Sequence, residues 1–379
     1  MVEEYDIAIV GAGIMGAMTA CELARDGARI ALIDQSSLPN PAGASVDHSK
    51  VFRFAYPDPL YAQLAVDALK LWRQLETTSG ELLLTQTGVL MMGVDESSPE
   101  TETYKALRSL GLEAEMLDSS AVAGRFPQFN PEAFAFGVYD PNGAILHAER
   151  AVRAALELAR QRGVVLMEGR RVIGVERSEG SRVRIVIEAG GTCECNCAVI
   201  ASGPWTRKLL PCLGSKLTTT RQETVYFEPA RAVASSFGAG DFPMFIELES
   251  GFYGFPVHHR GWMKIANHHR GATADPYEVS KAVDEDFIES CRVFFRRFIP
   301  ELADAQVRET RVCLYNNTPD DDFLIDWHPE IENVLIVTGF SGHGFKFGSV
   351  IGRIAAGLLR ERRTSYNIER FSLGRLAER

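Results

Sequence analysis

Long hydrophobic runs are missing from this chain: no uninterrupted apolar stretch in its 379 residues reaches the roughly 18 needed to cross a bilayer. No basic-then-apolar leader opens it either, so neither a membrane span nor a signal peptide is expected. The apolar segment "YDIAIVGAG" is interrupted by Gly11 and reads as a strand. Positive charge is short as well, with 40 Lys and Arg against 50 Asp and Glu for a net charge of −10. That balance argues against nucleic acid or an anionic membrane as a general partner. Cysteine is sparse, and seven is an odd count without the spacing of a disulfide scaffold, which suits a reducing cytoplasm. Internal repeats and low-complexity linkers are absent. Apolar residues make up 46% of a chain too long for one small core, so two domains are expected.

Three of the cysteines, Cys193, Cys195 and Cys197 in "CECNC", have the look of a metal site. Period-two spacing on a strand puts the thiols on one face. No His/Cys pair follows at a zinc-like distance, so the segment reads as a strand of small residues and no metal is expected.

The strongest signal is "YDIAIVGAGIMGAMTACELARDGARIALIDQ", residues 5–35. A short strand, Ile7 to Val10, runs into Gly11-Ala-Gly13-Ile-Met-Gly16. Ile14, Ala17, Met18, Cys21 and Ala24 follow at helical spacing, and a second strand, Ile30 to Ile33, ends in Asp34. Gly11 makes the tight turn, Gly13 admits a pyrophosphate, and Gly16 lets helix and strand pack closely. The helix N-terminus offers its free N–H groups to phosphate. Asp34 sits where a carboxylate accepts hydrogen bonds from a ribose diol. The segment predicts dinucleotide binding without separating NAD from FAD.

Later segments separate them. "CAVIASGPWTRKLL" (197–210) is another apolar strand with a Gly-Pro turn, and "ENVLIVTGFSGHGFKFGSVIGRIAAGLL" (332–359) repeats strand, Gly-rich loop and helix. Flavoproteins return their C-terminus to the nucleotide fold in this way. There a helix N-terminus near the flavin N1–C2=O edge stabilises the anionic reduced ring.

Taken together, the chain resembles the D-amino-acid-oxidase superfamily of flavoproteins. Within it the match is to the monomeric sarcosine oxidase group, which includes the N-methyltryptophan, pipecolate and fructosyl-amino-acid oxidases. The resemblance runs nearly end to end. It rests on "GAGIMG", "HSKVFRFAYPDPLYAQLAVDALKLW" (48–72), "GFYGFP" (251–256), "VCLYNNTPDDDFLID" (312–326) and "GFSGHGFKF" (339–347). It implies FAD held by Gly11, Gly13, Ile14, Met15, Gly16, Asp34, Gln35, Ser45, Lys50, Val172, Ser202, Gly203, Trp205, Gly342, His343, Gly344, Phe345 and Lys346. It also implies an 8α-S-cysteinyl thioether from Cys313 to the cofactor, since a thiolate readily traps an electrophilic 8α-methyl. The other reading open to Cys313 is a packed core thiol.

The same resemblance assigns roles around the ring. Arg53 holds the substrate carboxylate, as suits a planar bidentate donor, and Lys346 is the second cation on it. Lys264 activates oxygen, and an ammonium inside the alternating strand "WMKIA" is unusual on physical grounds alone. His268 and Tyr253 match pocket residues. Tyr315 shares the strand face of Cys313 and is either a pocket or a core tyrosine. The chain departs from the group's pattern twice. "HHRGWMKIANHHR" (258–270) gathers four of the eight histidines around Lys264. Read blandly, His258, His259 and Arg260 form a polar hairpin loop; facing the pocket, they would suit a diacid such as iminodiacetate. Also, "AGASVDHSK" before Arg53 lacks the group's paired histidines.

The expected fold class is α/β: a Rossmann-type FAD-binding domain interleaved with an α+β substrate domain built on an antiparallel sheet. Residues 1–85, 148–215 and 325–379 are assigned to the first and 86–147 and 216–324 to the second, with 179–192 a hairpin-like insertion. The expected activity is oxidation of a secondary-amine amino acid, a small-molecule substrate, with O2 reduced to hydrogen peroxide by a cytoplasmic monomer. Fructosyl amino acids or cyclic imino acids as substrates, or a non-oxygen acceptor, are the rival readings on the same fold. A flavin-bound tRNA-modification module is disfavoured by the negative charge.

Overall fold

The computed structural model describes residues 3–376. Glu3–Val10 is central to the first sheet, with parallel neighbours Ile30–Ile33 on one side and Gly191–Ile200 on the other. Val165–Met167 extends it beyond Ile30–Ile33, and Val334–Thr338 beyond Gly191–Ile200, both parallel. Strands covered on both faces read as unbroken apolar runs. Ile30–Ile33 and Val334–Thr338 are accordingly buried at every residue. Helices Ile14–Leu23, Ala148–Gln161 and Gly348–Glu361 pack together over the sheet. Small residues allow the close approach: a Cβ at Gly352 would lie 2.7 Å from the Met18 backbone.

Gly191–Ile200 forks the sheet. Its second half pairs with Val334–Ile336, while its first half pairs antiparallel with Val183–Ile187, which pairs in turn with Val172–Arg177. The 179–192 segment is therefore the turn and strand of a meander continuous with the sheet. Cys193 and Cys195 are buried with Val183, Ile185 and Leu213, and Cys197 is half-buried. Among the described residues no group of three or more His, Cys, Asp or Glu is placed to hold a metal ion.

The second sheet has eight strands in the order Gln306–Asn317, Thr218–Glu228, Trp262–Asn267, Phe252–His259, Met244–Ile246, Val89–Gly93, Phe136–Asp140, Glu115–Asp118. Every pair is antiparallel except Met244–Ile246 with Val89–Gly93. Period-two alternation divides its faces. Met263 and Ile265 enter an aromatic core with Phe245, Phe294 and Phe298, closed by helix Glu285–Phe298, while Lys264 between them points to the other face. A small third sheet joins Lys50–Phe52 and Leu84–Gln86 to Ala144–Leu146. The architecture is mixed α/β. No helix among the described residues is long and apolar enough to cross a membrane.

One expected loop is not a loop. Phe252–His259 runs as strand through His258 and His259, and only Arg260 (φ 51°) and Gly261 (φ 81°) turn the chain. Partners from a distant segment, described below, hold the two histidines in the strand.

Candidate active site

A cavity of about 500 Å³ runs from the carboxyl ends of the parallel strands to the underside of the antiparallel sheet. At the nucleotide end it is lined by Gly11, Gly13, Ile14, Met15, Asp34, Gln35, Ser45, Val172, Ser202, Gly203 and Trp205. Gly11 has φ 102°, and a Cβ there would sit 2.4 Å from the Ala201 carbonyl oxygen, so the turn admits only glycine. Gly16 lies behind the wall: its Cβ would meet the Gly11 carbonyl oxygen at 1.9 Å, which makes it the helix–strand packing position. Helix Ile14–Leu23 has no side-chain cap at Gly13; Ser45 Oγ takes the Ile14 N–H, which leaves the Met15 and Gly16 amides for a bound anion.

Asp34 is buried, and burial raises its carboxyl above the usual range while donors from Ala12, Ser36, Asn40 and Gln35 oppose the rise. It accepts from the Ala12 N–H (2.9 Å), the Ser36 N–H (3.1 Å) and the Asn40 side chain (2.9 Å). Oδ2 carries only the Ala12 N–H while Oδ1 takes the Ser36 and Asn40 donors, which leaves Oδ2 room for a ribose hydroxyl. The Trp205 Nε1–H is buried on the cavity wall without a hydrogen-bond partner. An orphaned buried donor costs about 1–3 kcal/mol, and a polar ligand in the cavity would satisfy it. Glycine turn, uncapped helix, carboxylate and orphan donor together fit FAD.

The other end is lined by Lys50, Tyr253, Lys264, Cys313, Tyr315, Gly342, Gly344 and Phe345. Cross-strand pairing sets Lys264 between Tyr226 and Phe255 on one face of the sheet. Its Nζ donates to Asp47 Oδ2 at 2.5 Å and to the Ser49 carbonyl at 2.9 Å. The second Asp47 oxygen accepts from Tyr226 Oη at 2.5 Å and from the His48 N–H at 2.8 Å. Lys50 lies 3.4 Å from Asp47. Burial alone would push the Asp47 carboxyl up; Lys264 and Lys50 outweigh it and hold the carboxyl far below the usual range. Asp47 is thus ionised; burial, opposed by Asp47, takes Lys264 down to about 8, so it is an ammonium at neutral pH.

A second cluster lies beside this end. Asp140 accepts the N–H groups of Phe54 (2.8 Å) and Ala55 (3.2 Å), which fixes the chain around Arg53. The half-buried Arg53 guanidinium lies 4.2 Å over the Tyr56 ring, with Nη1 3.9 Å from Met91 Sδ. Lys346, 5% exposed, donates to Tyr56 Oη and to the His343 carbonyl, both at 2.8 Å. Neither cation forms an ion pair with any described carboxylate within 4.0 Å. Burial lowers the pKa of both, and Arg53 depresses Lys346 further, to well below its ordinary value. His268 feels the same field: burial, then Arg53 and Lys346, take it down to about 4. Its ring lies 5.8 Å from that of Tyr315, whose hydroxyl is 3.5 Å from that of Tyr253. Tyr315 faces the cavity, which decides between the two readings left open for it.

Not every expected residue lines the cavity. The His343 ring bonds Tyr56 Oη (3.3 Å) and the Asp321 carbonyl (3.0 Å) and packs against Phe323, off the cavity wall. His258 is held by the Ser49 hydroxyl (2.9 Å) and the Pro256 carbonyl (2.7 Å). His259 stacks on His48 at 3.6 Å. These two are placed with Lys264 and His48; the histidines that feel Arg53 and Lys346 are His268 and His343. Asp47, Tyr56 and Asp140 were missed. A buried lysine signals that a counterion exists somewhere, but nothing local to Lys264 says where.

Comparison with known proteins agrees with the cavity. The family described as DAO, FAD dependent oxidoreductase, matches residues 6–358. Peroxisomal sarcosine oxidase of Homo sapiens is 34% identical over 383 residues, covering 98% of this chain and 96% of that one. Monomeric sarcosine oxidase of Bacillus sp. (strain B-0618) is 32% identical over 386 residues, covering 100% and 97%. Among solved structures, L-proline dehydrogenase from P. horikoshii superposes with a TM-score of 0.86 at 19% identity, covering 98% of this chain and 97% of that one. This chain belongs to the DAO family of FAD-dependent oxidoreductases and, within it, to the sarcosine-oxidase-like group.

Proposed function

We propose that the protein oxidises secondary-amine amino acids, with N-substituted glycines such as sarcosine as the central substrate class. The observation that carries this reading is the pair of sequestered cations, Arg53 and Lys346, without a carboxylate partner among the described residues. Sequestered charges are normally paired, so the site is built for a ligand that brings the anion. Arg53 offers its planar fork to a carboxylate, and Lys346 has one N–H left after Tyr56 and His343. Tyr253, Tyr315 and His268 would flank the amine, and the carbon–hydrogen bond beside nitrogen is then held at near-attack distance.

FAD, bound by residues 1–85, 148–215 and 325–379, would take up two electrons with the α-hydrogen and pass them to O2 as hydrogen peroxide. The substrate loses that hydride equivalent and its N–H proton to become an imine, the proton completing hydrogen peroxide, and water hydrolyses the imine to an aldehyde or keto acid plus the smaller amine. Residues 86–147 and 216–324 supply the substrate side. Lys264 presents a cation where negative charge develops on oxygen. The polar, reducing-compartment composition and the monomeric relatives support a cytoplasmic monomer.

His268 is already neutral above about pH 4. Protonation of that ring therefore leaves the rate between pH 6 and 9 untouched. The substrate amine must lose its proton to react, so anaerobic bleaching of the cofactor by sarcosine should quicken as pH rises through the amine's pKa. A panel of sarcosine, pipecolate, iminodiacetate and a fructosyl amino acid, scored by the same bleaching, identifies the substrate class. A flat pH profile, or no bleaching by any member, overturns the reading.

Cys313 lies on the cavity wall next to the Lys50 ammonium, and this supports the covalent 8α attachment. Acid-precipitated protein should stay yellow, and the Cys313→Ser precipitate should be colourless with the pigment left in solution. Yellow supernatant from the parent protein removes the tether.

A further inference from the structure

The pairing around Lys264 says more than that the lysine is buried. Strands Thr218–Glu228, Trp262–Asn267 and Phe252–His259 bring Tyr226, Lys264 and Phe255 side by side. Across them lies the segment 47–50, whose four residues all engage this face. Asp47 bridges Lys264 and Tyr226, the Ser49 carbonyl takes a second Lys264 N–H, the Ser49 hydroxyl bonds His258, and Lys50 adds a second cation on Asp47. An ammonium has three donors. With Asp47 and Ser49 filling two, the third is left for the cavity that Lys264 lines.

We propose that Asp47 is the positioning residue of the oxygen-side lysine: its carboxylate keeps Lys264 charged and fixes the direction in which the remaining N–H points. The inference rests on Lys264 being the cation that meets oxygen. Among the neighbours of Lys264 only Asp47 brings a full opposite charge in contact with it, and the Ser49 carbonyl adds one neutral acceptor. Lys50 is a like charge. His258 sits on the adjacent strand with its own proton affinity reduced, in part by Lys264. The Phe255 ring, 4.9 Å from Nζ, gives only a weak cation–π contact. Tyr226 keeps its proton, which it shares with Asp47. Cys313, from strand Gln306–Asn317, favours the ammonium only as a thiolate, and a thioether would remove that contribution. Asp47 is therefore the one full counter-charge against burial and Lys50, which still bring Lys264 down to about 8.

The sign follows. The charged lysine exists below its pKa and is lost as pH rises through it. Asp47→Asn keeps the shape, removes the counterion and should move that loss to lower pH by at least one unit. Holoenzyme is reduced anaerobically with sarcosine, mixed with oxygenated buffer, and followed by return of flavin absorbance across pH 6–10. In the parent the reoxidation rate should hold through neutrality and fall in the alkaline range. In Asp47→Asn it should fall about fivefold or more at pH 8 relative to parent, with anaerobic reduction changed by less than threefold, and Asp47→Glu should recover most of the rate. Independently, ε-13C-lysine NMR of the same holoenzymes reads the Lys264 signal, assigned by its loss in Lys264→Met. Its titration should shift down in Asp47→Asn by the same amount.

An Asp47→Asn protein whose reoxidation profile and lysine titration both match the parent's overturns the proposal. Should that variant misfold, Asp47→Ser, which leaves room for water, is judged by the same two readouts. Failure of the underlying reading looks different: Lys264→Met would reoxidise as fast as the parent, while the NMR titration alone still decides whether Asp47 holds the lysine's charge.

Discussion

Arg53→Ala should lower kcat/KM for sarcosine about a thousandfold while the purified protein stays yellow. The side chain sits off the cofactor cavity, so its loss touches the substrate and not the cofactor. Truncating one partner of a buried, hydrogen-bonded charge pair costs about 2–5 kcal/mol. At 1.4 kcal/mol per decade that spans about 30-fold to 4,000-fold. The upper part is expected because Lys346, already depressed by burial, has only one free N–H with which to compensate. Both kcat and KM should suffer, because the carboxylate anchor also aligns the reacting bond. A sarcosine ester supplies the control, since without the negative charge the parent should lose most of its advantage over the variant. Stopped-flow bleaching under argon measures all four combinations. Equal rates for parent and variant with sarcosine would sink the carboxylate clamp.

Lys264→Met should slow reoxidation by oxygen about 100- to 1,000-fold, the usual effect of removing one preorganised donor from a developing anion. Reduction by sarcosine should change less than threefold, because Lys264 is placed with Asp47 and Ser49, not with Arg53 and Lys346. Methionine fills the lysine's volume. Asp47 keeps Tyr226, the His48 N–H and Lys50 as partners, so the fold should survive. Reduced variant mixed with aerated buffer gives the rate, and peroxide released in air gives the yield. A parent enzyme that bleaches fully with sarcosine yet yields no peroxide until a quinone is added would be a dehydrogenase, and the lysine's role in oxygen chemistry would go.

The nucleotide end was legible because its chemistry is local. Gly11, Gly13, Gly16 and Asp34 lie within one strand–turn–helix–strand unit, where a positive φ, a close contact and a helix terminus each demand a residue type at a fixed spacing. Lys264 was legible as an anomaly, an ammonium inside an apolar alternation. Its partner was not, because Asp47 is 217 residues away in sequence. Asp140 was hidden for the same reason, since it steadies Phe54 across 86 residues. His258 and His259 were misread because a run of polar residues beside a glycine has the composition of a turn. Their partners Ser49 and His48 come from a segment more than 200 residues earlier and hold them in the strand.

By itself the sequence determined that a dinucleotide cradle exists, because spacing and alternation act over a few residues; only the family resemblance grouped Arg53, Lys264, Cys313 and Lys346 around one site. Only the tertiary structure decided which of those charges are answered. Lys264 meets Asp47, whereas Arg53 and Lys346 meet tyrosine, sulfur and backbone carbonyl. Whether a buried charge is paired depends on groups delivered from remote segments, and that difference is the ground for proposing that Lys264 is kept by the protein and Arg53 and Lys346 are left for a ligand.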